Sequence, residues 1–386
     1  MNIKITSKGF WAVLILAFVH FSSAQAVELQ DLYAAEALMA DDSTESRNKA
    51  LSAALSKVLV RLSGNPHVNT HEGAPQVLAK APSLVQQFKY RIEDIEPPAK
   101  LPEGQTAPTP EQLQKRYIWA KFDKVVVDRM MRQYGLPVWG KQQRPKVLLW
   151  LSREDGRKRY LHNLEADEWG RNALMAEAGR RGMPVQLPLM DLEDQTNLRV
   201  ADLWSDFSEG IKTASSRYPH DVVLTGKLKR VGNAWRSTWT LFDRDSVESF
   251  DVAGLNWPRS LAAGVARAQD LLAERYAPVA NGGGPQEVTV LFKKVESISD
   301  LGKLYKVLDA QEAVSRLNVQ KAEDNWMLVS LWVNGGRDTL ARGLSLSTAL
   351  MVEPEIVDQV PVTHTPGEQA APPVLPDADM VYHLVN

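Results

Sequence analysis

The chain contains no cysteine. Disulfides, thiolate zinc sites, iron–sulfur clusters and thiol catalysis are therefore excluded, as is lipid attachment through a cysteine behind a leader. A chain of 386 residues can bury a sizeable core without covalent staples. A cysteine-free exported chain also fits the periplasm better than a small eukaryotic secreted protein, which is usually disulfide-rich. An excess of one charge is missing too: 45 basic residues face 47 acidic ones. Such a balance gives no electrostatic case for nucleic acid, which asks for a basic domain. The sequence has no G-x-S-x-G elbow, no phosphate loop and no G-x-G-x-x-G turn. A ready-made nucleophile, phosphate cradle or dinucleotide site is absent, and no cofactor is expected.

What is present begins with a leader. Lys4 and Lys8 precede the uncharged apolar run Phe10–Phe21, and Ala24-Gln25-Ala26 follows as a small-residue cleavage site. The run falls short of the about 20 apolar residues that cross a bilayer. Cleavage after Ala26 and export through the inner membrane to the periplasm are predicted, with a retained N-terminal anchor as the alternative. Losing Lys4 and Lys8 leaves 43 basic and 47 acidic residues, a net charge of −4. No later segment has membrane-spanning length, so a soluble mature protein is expected.

The remaining length suggests two or three domains. The periodicities predict an α/β (α+β) protein with three small mixed-sheet domains. Residues 27–141 form the first, an α+β unit. In it Asp42 and Glu45 resemble a capping box, and Leu51, Leu55, Leu59 and Leu62 line one helix face up to Gly64. A Pro- and Gly-rich stretch near 96–112 reads as an exposed loop. Residues 142–277 read strand–helix–strand–helix–three strands–helix, with the first helix starting near Asn163. Residues 278–286 form a linker. Residues 287–352 follow the split βαβ, ferredoxin-like order. Residues 353–386 are Pro-rich without helical period and read as disordered. Within them "MVYHLV" is an exception, with the composition to add as a strand to a sheet edge.

Several segments carry a family likeness: "KALSAALSKVLVRLSGNP", "YGLPVWGKQQRPKVLLWLS", "RRGMPVQLPLMDLEDQ", "ASSRYPHDVVLTGKL", "WRSTWTLF" and "AAGVARAQDLLAERYA". On these, Val27 to about Ala277 resembles an uncharacterised family of secreted Gram-negative proteins, the domain of unknown function numbered two thousand and sixty-six. That resemblance implies no activity and no catalytic residues. In element order the middle block is similar to envelope accessory domains: the curli-secretion lipoprotein CsgG, the lipoprotein activators of peptidoglycan synthases, and the TolB N-terminal domain. The first block is faintly similar to the opening domain of the flagellar-assembly protein FlgT. These likenesses imply binding of other envelope proteins rather than turnover of a substrate, by fold-level analogy alone.

Three acids, Asp191, Glu193 and Asp194, stand together in "LPLMDLEDQTN". A metal site needs converging oxygens, but the calcium-loop pattern and a nearby His are missing. The competing reading makes Asp191 the end of a strand and Asp194 a cap of the following turn. Ligands of open α/β sheets sit beyond strand carboxyl ends, so any pocket is expected here; Trp169 and Trp204 either face the sheet or sit near this loop, where an aromatic would suit a pocket. His67 and His71 have i, i+4 spacing, but Pro66, Asn69 and Gly73 make the stretch a loop. Trp235 and Trp239 share one strand face. Near "KLKR" such a face suits stacking on a glycan, or else packing under the closing helix. Trp139 is placed at the junction of the first two blocks. These readings favour a non-catalytic periplasmic scaffold contacting envelope proteins, with the middle block as the recognition module. A ligand- or metal-dependent enzyme or a glycan binder at Asp191–Asp194 is the alternative, and a peptidoglycan or glycan contact is a further expectation.

Overall fold

The computed structural model describes residues 31–96, 113–244, 246–277, 285–311, 313–323, 325–353 and 376–385. The expected leader, nearly all of the loop near 96–112 and most of the linker lie outside the described residues.

Strand β1 (Ala34–Met39) leads into helix α1 (Thr44–Ser63). The cap is one residue later than the Asp42–Glu45 box: the Ser43 hydroxyl accepts the Ser46 N–H, and the Ser46 hydroxyl accepts from Ala40 and Asp41. Gly64 ends the helix in the left-handed region at φ 70°. Two short helices follow, α2 (Ala74–Leu78) and α3 (Ala81–Leu84), each with a proline in its first turn. Strands β2 (Val85–Asp94) and β3 (Gln114–Phe122) complete an antiparallel sheet of order β1-β3-β2. Helix α4 (Lys124–Gln133) starts at Asp123, whose carboxylate accepts the Val126 N–H. Leu51, Leu55, Leu59 and Leu62 of α1 are buried in one core with Ala35 and Ala37 of β1 and Ile118 and Ala120 of β3.

The middle sheet has the order β5-β4-β7-β8-β9, with β6 on the start of β4. Its elements are β4 (Val147–Asp155), β5 (Lys158–Leu161), α5 (Glu168–Arg181) and β6 (Val185–Gln186). Next come α6 (Leu192–Asn197), α7 (Val200–Trp204) and α8 (Ser208–Ser215). Strands β7 (Val222–Val231), β8 (Ala234–Phe242) and β9 (Val247–Gly254) precede α9 (Trp257–Tyr276). β4 runs parallel to β6 and β7, and the other pairs are antiparallel. Residues 147–152 of β4 are all buried, as expected of a parallel strand covered on both faces. Val147, Leu149 and Leu151 pack with α5 and α9, whereas Leu148 and Trp150 pack with α7 and α8.

Four local expectations change. Helix α5 starts at Glu168 behind an Asp167 cap, five residues after Asn163. β6 is only two residues long, because Pro184 and Pro188 bring no N–H to a ladder. The single helix expected before β7 is three short ones, interrupted at Leu198 and at Asp206, which has φ 53°. Finally, β5 is an additional hairpin strand around the Asp155-Gly156 turn.

The first two units are stapled together. The Trp139 indole is fully buried, donates to the Gln143 carbonyl, and lies against Gly64 and Ala273. Arg144 reaches across it, donating to the carbonyls of Arg61, Trp139 and Gly182. These acceptors include the last turns of α1 and α5, where helix carbonyls lack intrahelical partners.

The third unit consists of β10 (Gln286–Lys293), α10 (Ile298–Asp309), β11 (Val314–Glu323), β12 (Trp326–Val333), α11 (Gly336–Ser345), β13 (Leu350–Val352) and β14 (Met380–Leu384). The first six give the split βαβ order. The seventh falls in "MVYHLV", the exception within the Pro-rich tail; residues 354–375 of that tail lie outside the described residues. β14 neither hangs free nor joins an edge; it lies inside the sheet, parallel to β10 and antiparallel to β13. Alternation explains this: Met380, Tyr382 and Leu384 point into the core, and Tyr382 stacks on Phe292 with centroids 6.2 Å apart. Burial pushes the Tyr382 hydroxyl up to about 12.

Candidate functional site

The acid loop is built around an arginine. Met190 takes a left-handed conformation at φ 56°, which turns the chain into α6. Asp191 caps that helix by accepting the Asp194 N–H at 3.0 Å. Its two oxygens also receive the Arg217 guanidinium fork at 2.9 and 3.0 Å. Asp194 is fully buried. It accepts from Arg217 at 3.1 Å, from the Met190 N–H at 2.8 Å and from the Tyr218 hydroxyl at 2.6 Å. The Tyr218 oxygen in turn accepts the Leu189 N–H. Glu193 is largely exposed and stands 3.4 Å from the same guanidinium. The three carboxylates do converge, but on Arg217.

The electrostatics follow from that geometry. The Arg217 hydrogen bonds hold the Asp191 carboxyl below its usual range, assisted by the Asp194 N–H. The Asp191 carboxylate raises the Arg217 guanidinium in return. Burial, then the Asp194 carboxylate, pushes the Tyr218 hydroxyl upward. Among the described residues no three His, Asp or Glu side chains are grouped so as to hold a metal ion.

The other candidates lie apart. The Trp204 ring sits under the Arg159 guanidinium of β5, 3.9 Å from its centre. Trp239 is fully buried under α9, stacked on Phe250 and donating to the Ser237 hydroxyl. It is therefore not available as a stacking surface. Trp235, four residues before it, is only half-buried and covers Arg153. His67 and His71 are exposed on the short turn after α1. With Arg267, Asp270 and Glu274 of α9 they line an open cleft of about 640 Å³.

The arrangement that sequence reasoning missed lies around Arg153. This guanidinium is sandwiched between Trp235 and Trp257, 4.9 and 5.0 Å from their ring centres. Trp257 meets His162 edge-on at 5.2 Å and Trp169 at 5.8 Å. Tyr160 extends the row beyond His162. Trp169 is 59 % exposed and Tyr160 38 %, so the row emerges at the surface. It lies toward the carboxyl end of β4, which runs parallel to β7. Burial lowers His162, with Arg153 adding to the effect and the Asp167 carboxylate opposing it. The ring nitrogen of His162 is 3.1 Å from Asp167, the cap of α5. The sequence signal was a tryptophan in the first turn of each of two helices, Trp169 of α5 and Trp257 of α9, which mean little until the sheet brings them together.

These features define a three-unit α/β protein whose acid cluster is an ion-paired loop and whose surface carries an aromatic–arginine row. The model of one family, described as Domain of unknown function (DUF8605), matches residues 26–140, the span of the first unit. No curated protein matches the chain. Among solved structures, the crystal structure of TolB from Acinetobacter baumannii is similar at 14 % identity and a TM-score of 0.18. The match covers 41 % of this chain and 34 % of that one, about a third of its length, and at this score it carries neither fold nor function.

Proposed function

We propose that this is a non-catalytic binding and scaffolding protein of the bacterial cell envelope, exported to the periplasm and acting in envelope assembly or maintenance through protein contacts. The observation that carries the reading is the row of Trp169, Tyr160, Trp257, Trp235 and Arg153 on the middle unit, which reaches the surface through Trp169 and Tyr160. Trp, Tyr and Arg are the residue types that anchor protein interfaces, because each brings large contact area and one polar handle. The acid loop adds support from the other side. Its carboxylates are spent on Arg217, Tyr218 and backbone N–H groups, which suits a structural role better than acid–base work.

The export expectation rests on the leader sequence, and among the described residues no helix is long and apolar enough to cross a membrane. The test is photo-crosslinking in intact cells with the reactive group at Tyr160, followed by mass spectrometry. A reproducible envelope protein, lost when Trp169→Ala is added, is the expected result. Absence of any reproducible protein partner overturns the reading. Retention on purified peptidoglycan, lost in the same variant, would assign the row to a glycan instead.

A further inference from the structure

Strand β2 is the outer strand of the first sheet, and its residues from Gln86 to Asp94 are all exposed. Phe88, Tyr90 and Ile92 are each more than half exposed. The register sets them beside Ala120, Ile118 and Arg116 of β3, which lie beside Ala35, Ala37 and Met39 of β1. The three thus belong to the face that α1 covers over β1 and β3, in the part the helix leaves uncovered. The opposite face of β2 carries Gln87, Lys89, Arg91 and Glu93. There Arg91 forks onto Glu36 at 2.7 and 2.8 Å and reaches Glu93 at 2.9 Å.

The backbone adds direction. The Ile95 N–H donates to the Leu113 carbonyl at 2.5 Å. Hydrogen-bonded pairs alternate along an antiparallel ladder, so Glu93, Arg91 and Lys89 bond toward β3. Phe88, Tyr90 and Ile92 then turn their N–H and C=O groups outward, along a ten-residue edge without proline. Among the described residues no strand pairs with that edge. An edge of this kind is a template for another strand.

We propose that β2 pairs antiparallel with β2 of a second copy of this chain, about a twofold axis at Arg91. The argument is one of register. A shift by one residue would set the apolar row of one copy against the charged row of the other, because side chains alternate faces. Registers that keep like faces together differ by two residues. An axis at Tyr90 sets Lys89 opposite Arg91 of the second copy, a like-charge pair formed twice with no opposite-charge pair to offset it. An axis at Ile92 sets Tyr90 opposite Asp94 and leaves Phe88 facing Glu96. With the axis at Arg91, Tyr90 faces Ile92 on one side of the sheet and Lys89 faces Glu93 on the other, each twice, against Phe88 facing Asp94 and a single Arg91–Arg91 pair at the axis. The two arginines at the axis keep their own Glu36 partners, and Lys89, Arg91, Glu36 and Glu93 balance to zero charge in each copy. The strand is therefore self-complementary, as a twofold interface requires. A single strand pair is a small interface, so the contact belongs to the weak, transient class.

The absence of cysteine makes the test direct. In the chain from Val27 onward, Arg91→Cys places one thiol at the axis, in a non-hydrogen-bonded pair whose Cβ separation suits a disulfide. Glu209→Cys on exposed α8 reports chance collision. Under mild oxidation Arg91→Cys is expected to give roughly tenfold more covalent dimer than Glu209→Cys, and Lys89→Cys no more than the control. Tyr90→Lys added to Arg91→Cys is expected to abolish the excess. Equal yields at positions 91 and 209 overturn the proposal, as does preferential capture at position 89. Sedimentation of the unaltered chain supplies a second reading: a monomer at every concentration overturns it. The outcome is independent of the aromatic row, which lies on the middle unit.

Discussion

Arg217 grips Asp191 with both terminal nitrogens of its guanidinium while the same Nη1 reaches the buried Asp194, 3.1 Å away. The two acids have different energetic weight. Asp194 is sealed from solvent with three donors around it, so removing its carboxylate leaves the Tyr218 hydroxyl and the Met190 N–H without their acceptor and Arg217 with Asp191 and Glu193 alone. Breaking a buried pair on one side costs about 3–5 kcal/mol. Because Arg217 keeps some solvent access, Asp194→Ala is expected at the lower end of that range. Asp191 is partly exposed, and its substitution by Ala should cost about 1 kcal/mol, chiefly the lost cap. Urea denaturation of the two variants checks the order. Equal losses would show that Asp194 is not the keystone of the loop.

His162 gives the middle unit a pH dependence of predictable sign. Its folded value lies below the ordinary one near 6.5, because burial beside Trp257 and the Arg153 charge outweigh the Asp167 carboxylate. Between the two values the unfolded chain binds more protons, so stability falls as pH drops below about 6.5. The Asp191 carboxylate, held low by Arg217, contributes above the ordinary carboxylate range and is lost only as pH falls through its depressed value. The two effects occupy separate windows. Urea midpoints measured from pH 7 to 5 should decline, and His162→Gln should flatten that decline. An unchanged slope in the variant would remove His162 as the cause.

Gly264 tests the packing of the middle core. It lies in α9, where a Gly→Ala change ordinarily stabilises by up to about 1 kcal/mol. Here an added Cβ would overlap the indole of Trp239, which is buried, stacked on Phe250 and tied through Ser237 to Ser260. Gly226 closes the other side of the same ring. With no space to yield, overpacking of about 1–3 kcal/mol reverses the usual sign. A thermal-unfolding midpoint below that of the unaltered protein is expected for Gly264→Ala. A raised midpoint would mean that the indole can shift.

How much of this was readable in the sequence depended on range. Helix α1 was legible because its leucine stripe and Gly64 stop are local, although its cap is Ser43 rather than Asp42. β4 was legible because a short apolar run bounded by turn signals suits a strand covered on both sides. Hairpin β5 had a local signal, Asp155-Gly156, that four short residues of strand made easy to pass over. The acids of the 191–194 loop were visible, but their meaning was not, since Arg217 stands 26 residues away from Asp191. The Arg153 row depends on β4, β5, α5, β8 and α9 meeting at one place, and no pattern within any one of them announces it. The final strand had the right alternation, but its place between β10 and β13 is a property of the assembled sheet.

That last strand carries the remaining prediction. β14 supplies Met380, Tyr382 and Leu384 to the third core and holds β13 to β10 from between. Removing it would leave β13 with no ladder and strip a face of β10, so the tail is an integral part of its domain despite the Pro-rich stretch before it. Tyr382→Ala removes a buried aromatic stacked on Phe292, and large-to-small changes of that kind cost about 3–5 kcal/mol. A chain ending at Pro376 should lose the domain altogether. Limited proteolysis followed by mass spectrometry separates the outcomes. In both variants cleavage should spread through residues 285–353 while residues 31–96 and 113–277 stay protected, because the first two units share their own buried contacts at Trp139 and Arg144. Protection of residues 285–353 in the truncated chain would show that the split βαβ unit closes without its seventh element. Loss of protection across the whole chain would mean instead that the third unit supports the other two.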